Sequence, residues 1–331
     1  VPNDPLNGRL TPLNVALRNC QNDIVKILVD FGCDLLPSYH YPSIITTPIG
    51  IAIRFSSCEI VRFLMSKKPL KDNDRPARDK HSLIHVAANS LIKQERSNFE
   101  MITTLLETGC NINEIDEEGK TLLMLAIEKD CDTLIEYVMN NNGFVSHDYN
   151  RSGKKSALGY AVAARKIDLV KKLLNSQCNT NSGSKTPLGI AIDAKDVEII
   201  RLLIASGCDV NLHYRENFNA PYSVPLIAAV EAQEFDIVQA IVAAPGCDID
   251  ILDATRKRTA LSYALSYKSK DCIDLLLSKN CNLNLGRDPP LITAVKENNL
   301  DLVQRLIDTP HCNINIVDCH SSEIPEEITS M

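Results

Sequence analysis

One six-residue phrase, Thr-Pro-Leu-x-x-Ala with variants, returns nine times along the chain, and this recurrence constrains the fold more than any other feature. It opens as Thr11-Pro12-Leu13-Asn14-Val15-Ala16. Later copies start at Thr47, Ser82, Thr121, Ser156, Thr186, Val224, Thr259 and Pro289, 30 to 39 residues apart. A period of this size belongs to a supersecondary unit stacked on copies of itself. Each phrase is followed by an apolar stripe with helical spacing, as in Ile24-Val25-Lys26-Ile27-Leu28 and Ile199-Ile200-Arg201-Leu202-Leu203. The stripe usually ends in Gly-Cys-Asx-x-Asn, for example Gly207-Cys208-Asp209-Val210-Asn211. Glycine there stops a helix cheaply, because it accepts the left-handed conformation. Proline in the phrase suits a first helical turn, where its missing N–H would have had no intrahelical partner.

Each unit is therefore a short helix, a turn, a second helix and an extended finger. One such helix pair cannot bury its stripes alone, so neighbours must stack. Over residues 5–318 the sequence resembles the ankyrin-repeat family, whose phrase is Thr-Pro-Leu-His-x-Ala with a period of about 33. The resemblance implies an all-α solenoid of about nine helix-turn-helix units with extended, hairpin-like fingers. It is expected to be a single domain over 1–331, with repeats starting near 6, 42, 77, 116, 151, 183, 219, 254 and 286. Residues 319–331 are expected to form an acidic, frayed tail. Leu91 to Arg96 read as an insertion between the two helices of the third repeat, and only His85 keeps the family's histidine.

A formal charge of −7 argues against nucleic acid as partner, since binding it usually needs a basic excess. No apolar run approaches the roughly 18 residues that span a bilayer, and the start Val-Pro-Asn-Asp-Pro has no signal-peptide pattern. A chain starting at Val1 rather than Met is read as an excised piece of something longer. Seven of the twelve cysteines share one slot after the second helix: Cys33, Cys110, Cys178, Cys208, Cys247, Cys281 and Cys312. Packed helices sit 8–10 Å apart, beyond the roughly 7 Å Cα separation a disulfide tolerates. These cysteines are expected to be reduced packing residues in an intracellular, most simply cytoplasmic, protein. With no Cys-x-x-Cys spacing, no metal site is expected.

Catalytic chemistry finds no footing. Ser182-Gly183-Ser184-Lys185-Thr186 lacks the Gly-Lys pair of a phosphate loop, and its threonine opens a repeat phrase. The seven histidines are scattered without a nucleophile and acid at a motif's spacing. No enzymatic activity and no cofactor are expected.

Another protein or peptide is the expected partner, bound to a monomer on the concave face formed by fingers and first helices. Two long fingers concentrate aromatics in a chain with no tryptophan: Tyr39 and Tyr41 in one, Tyr214, Arg215, Phe218 and Tyr222 in the other. Tyrosine and arginine are enriched at interface hot spots. Tyr149, Arg256 and Arg258 add an aromatic and basic tips, and Arg54, Phe55 and Tyr267 follow the phrase alanine on first helices. The alternative is a targeting or regulatory arm of a larger enzyme, channel or ubiquitin-ligase adaptor. The resemblance further implies asparaginyl hydroxylation eight residues after a leucine, at Asn113, Asn181, Asn211 and Asn284.

Overall fold

A computed structural model describes residues 11–35, 47–67, 82–90, 97–116, 118–141, 143, 155–215, 222–254 and 257–317. The chain divides into two compact units, residues 1–152 and 153–331, each with its own core. The first holds α1 (Pro12–Arg18), α2 (Asn22–Asp30), α3 (Pro48–Phe55), α4 (Cys58–Lys67), α5 (Leu83–Ser90), α6 (Ser97–Glu107), α7 (Leu122–Glu128) and α8 (Asp132–Asn140). The second holds α9 (Ala157–Ala163), α10 (Ile167–Asn175), α11 (Pro187–Asp193), α12 (Val197–Ala205), α13 (Pro225–Glu231), α14 (Phe235–Val242), α15 (Ala260–Ser266), α16 (Lys270–Ser278), α17 (Pro290–Lys296) and α18 (Leu300–Asp308). Odd helices begin at the phrase and even helices carry the apolar stripe, so the described residues form an all-α repeat solenoid. Within each unit, first helices pack on first helices and second on second.

The phrase residues explain the start of each first helix. Thr11, Thr47, Thr121, Ser156, Thr186 and Thr259 accept the N–H three residues on, at 3.1–3.3 Å. Each such cap is worth about 1 kcal/mol. Val224 and Pro289 supply no side-chain cap, and their helices rely on the proline that follows. The phrase alanine is buried in all nine copies, where a larger side chain would hold adjacent first helices apart. Leu17, Ile60 and Leu105 in the first unit, and Leu173, Leu203 and Leu276 in the second, fill the layer between helices.

In seven repeats the turn joining the two helices contains one residue with positive φ. Here it is Cys20, Asp130, Arg165, Lys195, Gln233, Lys268 or Asn298, all at φ 53–56°. A side chain is unfavourable in that conformation, and three of these residues put theirs to use. Cys20 Sγ donates to the Phe55 carbonyl at 2.8 Å, and Arg165 Nη2 to the Ala194 carbonyl at 2.6 Å. Lys195 Nζ reaches the Ala232 carbonyl at 3.4 Å and Glu234 at 2.7 Å. Each bond runs to the corresponding turn of the next repeat and ties the two together.

Candidate protein-binding surface

The fingers are held by short backbone bridges rather than long ladders: Ile115 with Thr121, Lys155 with Gly183, and Tyr214 with Ser223. In the last, the Tyr214 N–H donates to the Ser223 carbonyl at 3.0 Å, and the Ser223 N–H to the Tyr214 carbonyl at 2.7 Å. The Arg215 N–H donates to the Ser184 carbonyl at 2.9 Å, which ties this finger to the preceding one.

Tyr214 corrects the sequence expectation. It is 4 % exposed, and a Cβ added to Gly189 would come within 2.7 Å of its ring. The phenol fills the space that a missing side chain leaves on α11. Burial, followed by the charges of Asp193 and Glu231, pushes its ionisation above the ordinary tyrosine range. Tyr214 is thus an anchor in the core and not a surface contact. Tyr222, on the other strand of the finger, is 46 % exposed, and the Arg215 guanidinium lies 5.1 Å from its ring centroid. A cation over an aromatic face is an attractive arrangement that also orients both groups.

Arg258 also departs from expectation, for its side chain is only 15 % exposed and engages Asp288 at 2.7 Å. It donates to the Ser262 carbonyl and Ser266 Oγ, and lies 4.7 Å from the Tyr263 ring centroid. The Tyr263 hydroxyl in turn donates to the buried Asp253 at 2.9 Å. A basic finger residue folded into such a network is a fastener, not an open tip. The pattern repeats at the same spacing. Lys120 pairs with Glu128 at 2.8 Å, and Lys185 pairs with Asp193, each eight residues on at the end of the following helix. Sequence reasoning missed this pairing, although the constant interval was its signal.

Three residues at the ends of first helices stay open. Phe55 is 44 % exposed with the exposed Arg54 guanidinium 5.3 Å from its ring centroid, and Tyr267 is 42 % exposed. Tyr39, Tyr41, Tyr149, Phe218 and Arg256 lie outside the described residues.

Of the four asparagines singled out from sequence, Asn181, Asn211 and Asn284 form part of a staple. In the six Asx-x-Asx stretches that follow second helices the first side chain accepts the N–H two residues on, as Asp209 does from Asn211 at 2.9 Å. The second side chain crosses to the next repeat. Asn181 accepts the Asp209 N–H at 2.9 Å. Asn211 accepts the Asp248 N–H at 2.9 Å and donates to the Gly246 carbonyl at 2.7 Å. Asp250 accepts the Asn282 N–H at 2.7 Å. Asn284 accepts the Asn313 N–H at 2.8 Å and donates to the His311 carbonyl at 2.7 Å. Asn113, half-exposed in the first unit, donates its N–H to Asn111 at 2.9 Å.

The described cysteines are free thiols. Burial, reinforced by neighbouring aspartates, pushes Cys208 and Cys247 up to about 11 and Cys281 to about 12. The reactive form of cysteine is the thiolate, so these three are poor nucleophiles near neutrality. His85 is buried, and that burial holds its imidazole below the ordinary value despite the charges of Asp116 and Glu114. No helix among the described residues is long and apolar enough to cross a membrane.

A family profile described as ankyrin repeats in three copies matches residues 49–151, 143–214 and 226–318. The chain belongs to the ankyrin-repeat family. As an ankyrin array it is a repeat module of the kind that binds proteins through extended surfaces. Alpha-latrotoxin-Lg1a of Latrodectus geometricus is 26 % identical to it over 153 residues. That stretch is 46 % of this ankyrin chain and 10 % of the toxin, so the chain spans about a tenth of that relative's length.

Proposed function

We propose that this chain is a non-enzymatic protein-binding module whose contact surface runs along the fingers and the ends of the first helices. The supporting observation is the finger of the second unit. There Tyr222 stands exposed, stacked with Arg215, on a backbone pinned by the buried Tyr214. An aromatic on a rigid support loses little conformational freedom on binding, which favours it as a hot spot. Tyr267 and the Arg54–Phe55 pair extend the same chemistry to other repeats. In the second unit's fingers Lys185 pairs with Asp193 and Arg258 with Asp288, which favours an apolar or aromatic peptide segment over a strongly acidic one. Affinity capture with the full chain, followed by mass spectrometry, supplies the partner. Tyr222→Ala then weakens that complex by about 2 kcal/mol or more with an unchanged melting temperature. Capture of the same proteins at the same level by Tyr222→Ala overturns the assignment of this finger.

A second reading makes the array the targeting or regulatory arm of a longer protein. It is favoured by the toxin relative, which is matched over only a tenth of its length. An open reading frame coding for little beyond these residues removes it. Oxygen addition at Asn113, Asn181, Asn211 or Asn284 is a further proposal for the native protein. Peptide mass spectra lacking that increase at all four positions dismiss it.

A further inference from the structure

His85 is the one buried histidine among the described residues, and it lies at the joint between the third and fourth repeats. It holds the fourth position of the repeat phrase, where the other eight copies carry asparagine, glycine, methionine, isoleucine or serine. None of those side chains titrates near neutrality. His213 and His311, in the second unit, are exposed. His85 itself is 2 % exposed, and neither ring nitrogen makes a hydrogen bond among the described residues. A buried polar group without partners is costly, and an ionised one costs far more.

An imidazolium at this place would have to compete for its acceptors. The helix that carries it, α5, packs on α3, α6 and α7. The charged residues of those three helices, Arg54, Glu100, Glu107 and Glu128, are all exposed. The charges that act on the ring are Asp116 and Glu114, on the finger between α6 and α7, and the Lys120 and Thr121 backbone favours the charged form less still. Both carboxylates are already engaged. Glu114 Oε2 accepts the Ser82 hydroxyl at 2.5 Å, which ties the finger to the start of α5. Asp116 Oδ1 accepts the N–H groups of Glu118 and Lys120 at 2.9 and 2.8 Å, closing the turn that leads into α7. A carboxylate that swung to the imidazolium would break the tie or the turn. Burial therefore outweighs the two charges and holds the folded imidazole below its ordinary value of 6.5.

From this cluster we propose that the joint between the third and fourth repeats is an acid-sensitive hinge, in which protonation of His85 frees the finger from α5 and admits water to the ring. The proposal does not rest on the peptide-binding surface. The folded joint keeps the neutral ring, so the stability it contributes is complete above pH 6.5 and is lost as pH falls below that value. Because one repeat in nine carries the histidine, the opening is local to this joint and leaves the second unit closed.

Native-state amide exchange of the full chain, corrected for the intrinsic pH dependence of exchange, tests the hinge. Between about pH 7.5 and 5.5 the wild-type protection of α5 and of the finger leading into α7 falls, by up to about ten-fold for each pH unit, while α11 and α12 keep theirs. His85→Asn puts in this slot the residue that α1 buries as Asn14, and the fall disappears. Unchanged protection in the wild type overturns the proposal, as does an equal fall in His85→Asn. A fall shared by both units overturns it too, by making the acid effect general. A second measurement needs no substitution: the isotope-labelled His85 ring of the wild-type chain, followed by nuclear magnetic resonance, titrates below 6.5 in step with the loss of protection. Titration at or above that value in the folded chain overturns the hinge.

Discussion

The two units solve the same stacking problem with different joints. In the second, the finger side of the stack carries a chain of Asx staples running from Asn181 through Asn211 and Asp250 to Asn284. In the first, the described stretch of this kind is Asn111 to Asn113, and Leu36 holds the crossing position after Asp34. Described bonds between its repeats run instead from the turns and the outer faces of the second helices. Lys26 pairs with Glu59 at 2.7 Å, Lys67 with Asp30 at 2.9 Å, and Arg62 with Glu107 at 3.3 Å. Ser56 Oγ also donates to the Leu17 carbonyl at 3.0 Å. The difference teaches that an asparagine closing an Asx-x-Asx stretch lets a finger carry its own tie to the next repeat. Exposed ion pairs contribute little to stability, whereas a lost staple leaves backbone groups without their partners.

The comparison can be broken most forcefully at the anchor of the second unit. Tyr214→Ala removes a buried ring from against Gly189 and is expected to cost about 3–5 kcal/mol, as deletion of a core aromatic does. Urea unfolding followed by circular dichroism reads this loss, and a change near zero would put the ring outside the core. Alkali comes next. The folded thiols of Cys208, Cys247 and Cys281 ionise near 11 to 12, above the ordinary value of 9.0, so above pH 9 the unfolded state loses their protons first. The second unit's stability is therefore full below pH 9 and falls as pH rises from 9 towards 11. Amide exchange at α12 measures the fall, and Cys208→Ala makes it shallower.

The staple itself is tested by Asn211→Ala, which strands the Asp248 N–H and the Gly246 carbonyl. The expected loss, read from the same urea curves, is about 1 kcal/mol, because both bonds are exposed and water replaces the lost partner. Gln233→Gly relaxes a positive φ and is expected to stabilise by about 0.5–1 kcal/mol. Arg165→Gly relaxes the same strain but sheds the bond to Ala194, so its gain is smaller; equal gains would deny that bond any value. The smallest effect belongs to the first unit's outer face. Glu107→Gln leaves the melting temperature unchanged within error, and a clear loss that disappears in high salt would raise these ion pairs to structural importance.

Much of the frame was legible before any coordinates. The nine phrases mark the helix starts, since threonine or serine capping and first-turn proline act within four residues. The buried alanine, the apolar stripes and the cysteine slot follow from helical spacing and small volume, which are local properties. The candidate surface was legible only in part. Tyr222 is exposed with the half-buried Arg215 beside it, but Tyr214, three residues after Asn211, is turned inward.

The sequence by itself determined the repeat, its family and the all-α course of the chain, because period and capping are written in residues close together. Tertiary structure alone decided which finger residues face out. That choice depends on partners one repeat away: the bare Gly189 that admits a phenol, the Asp288 that draws in Arg258, and the turn that receives Asn211. Such pairings join residues roughly thirty positions apart, and only the stacking of one repeat on the next brings them within reach.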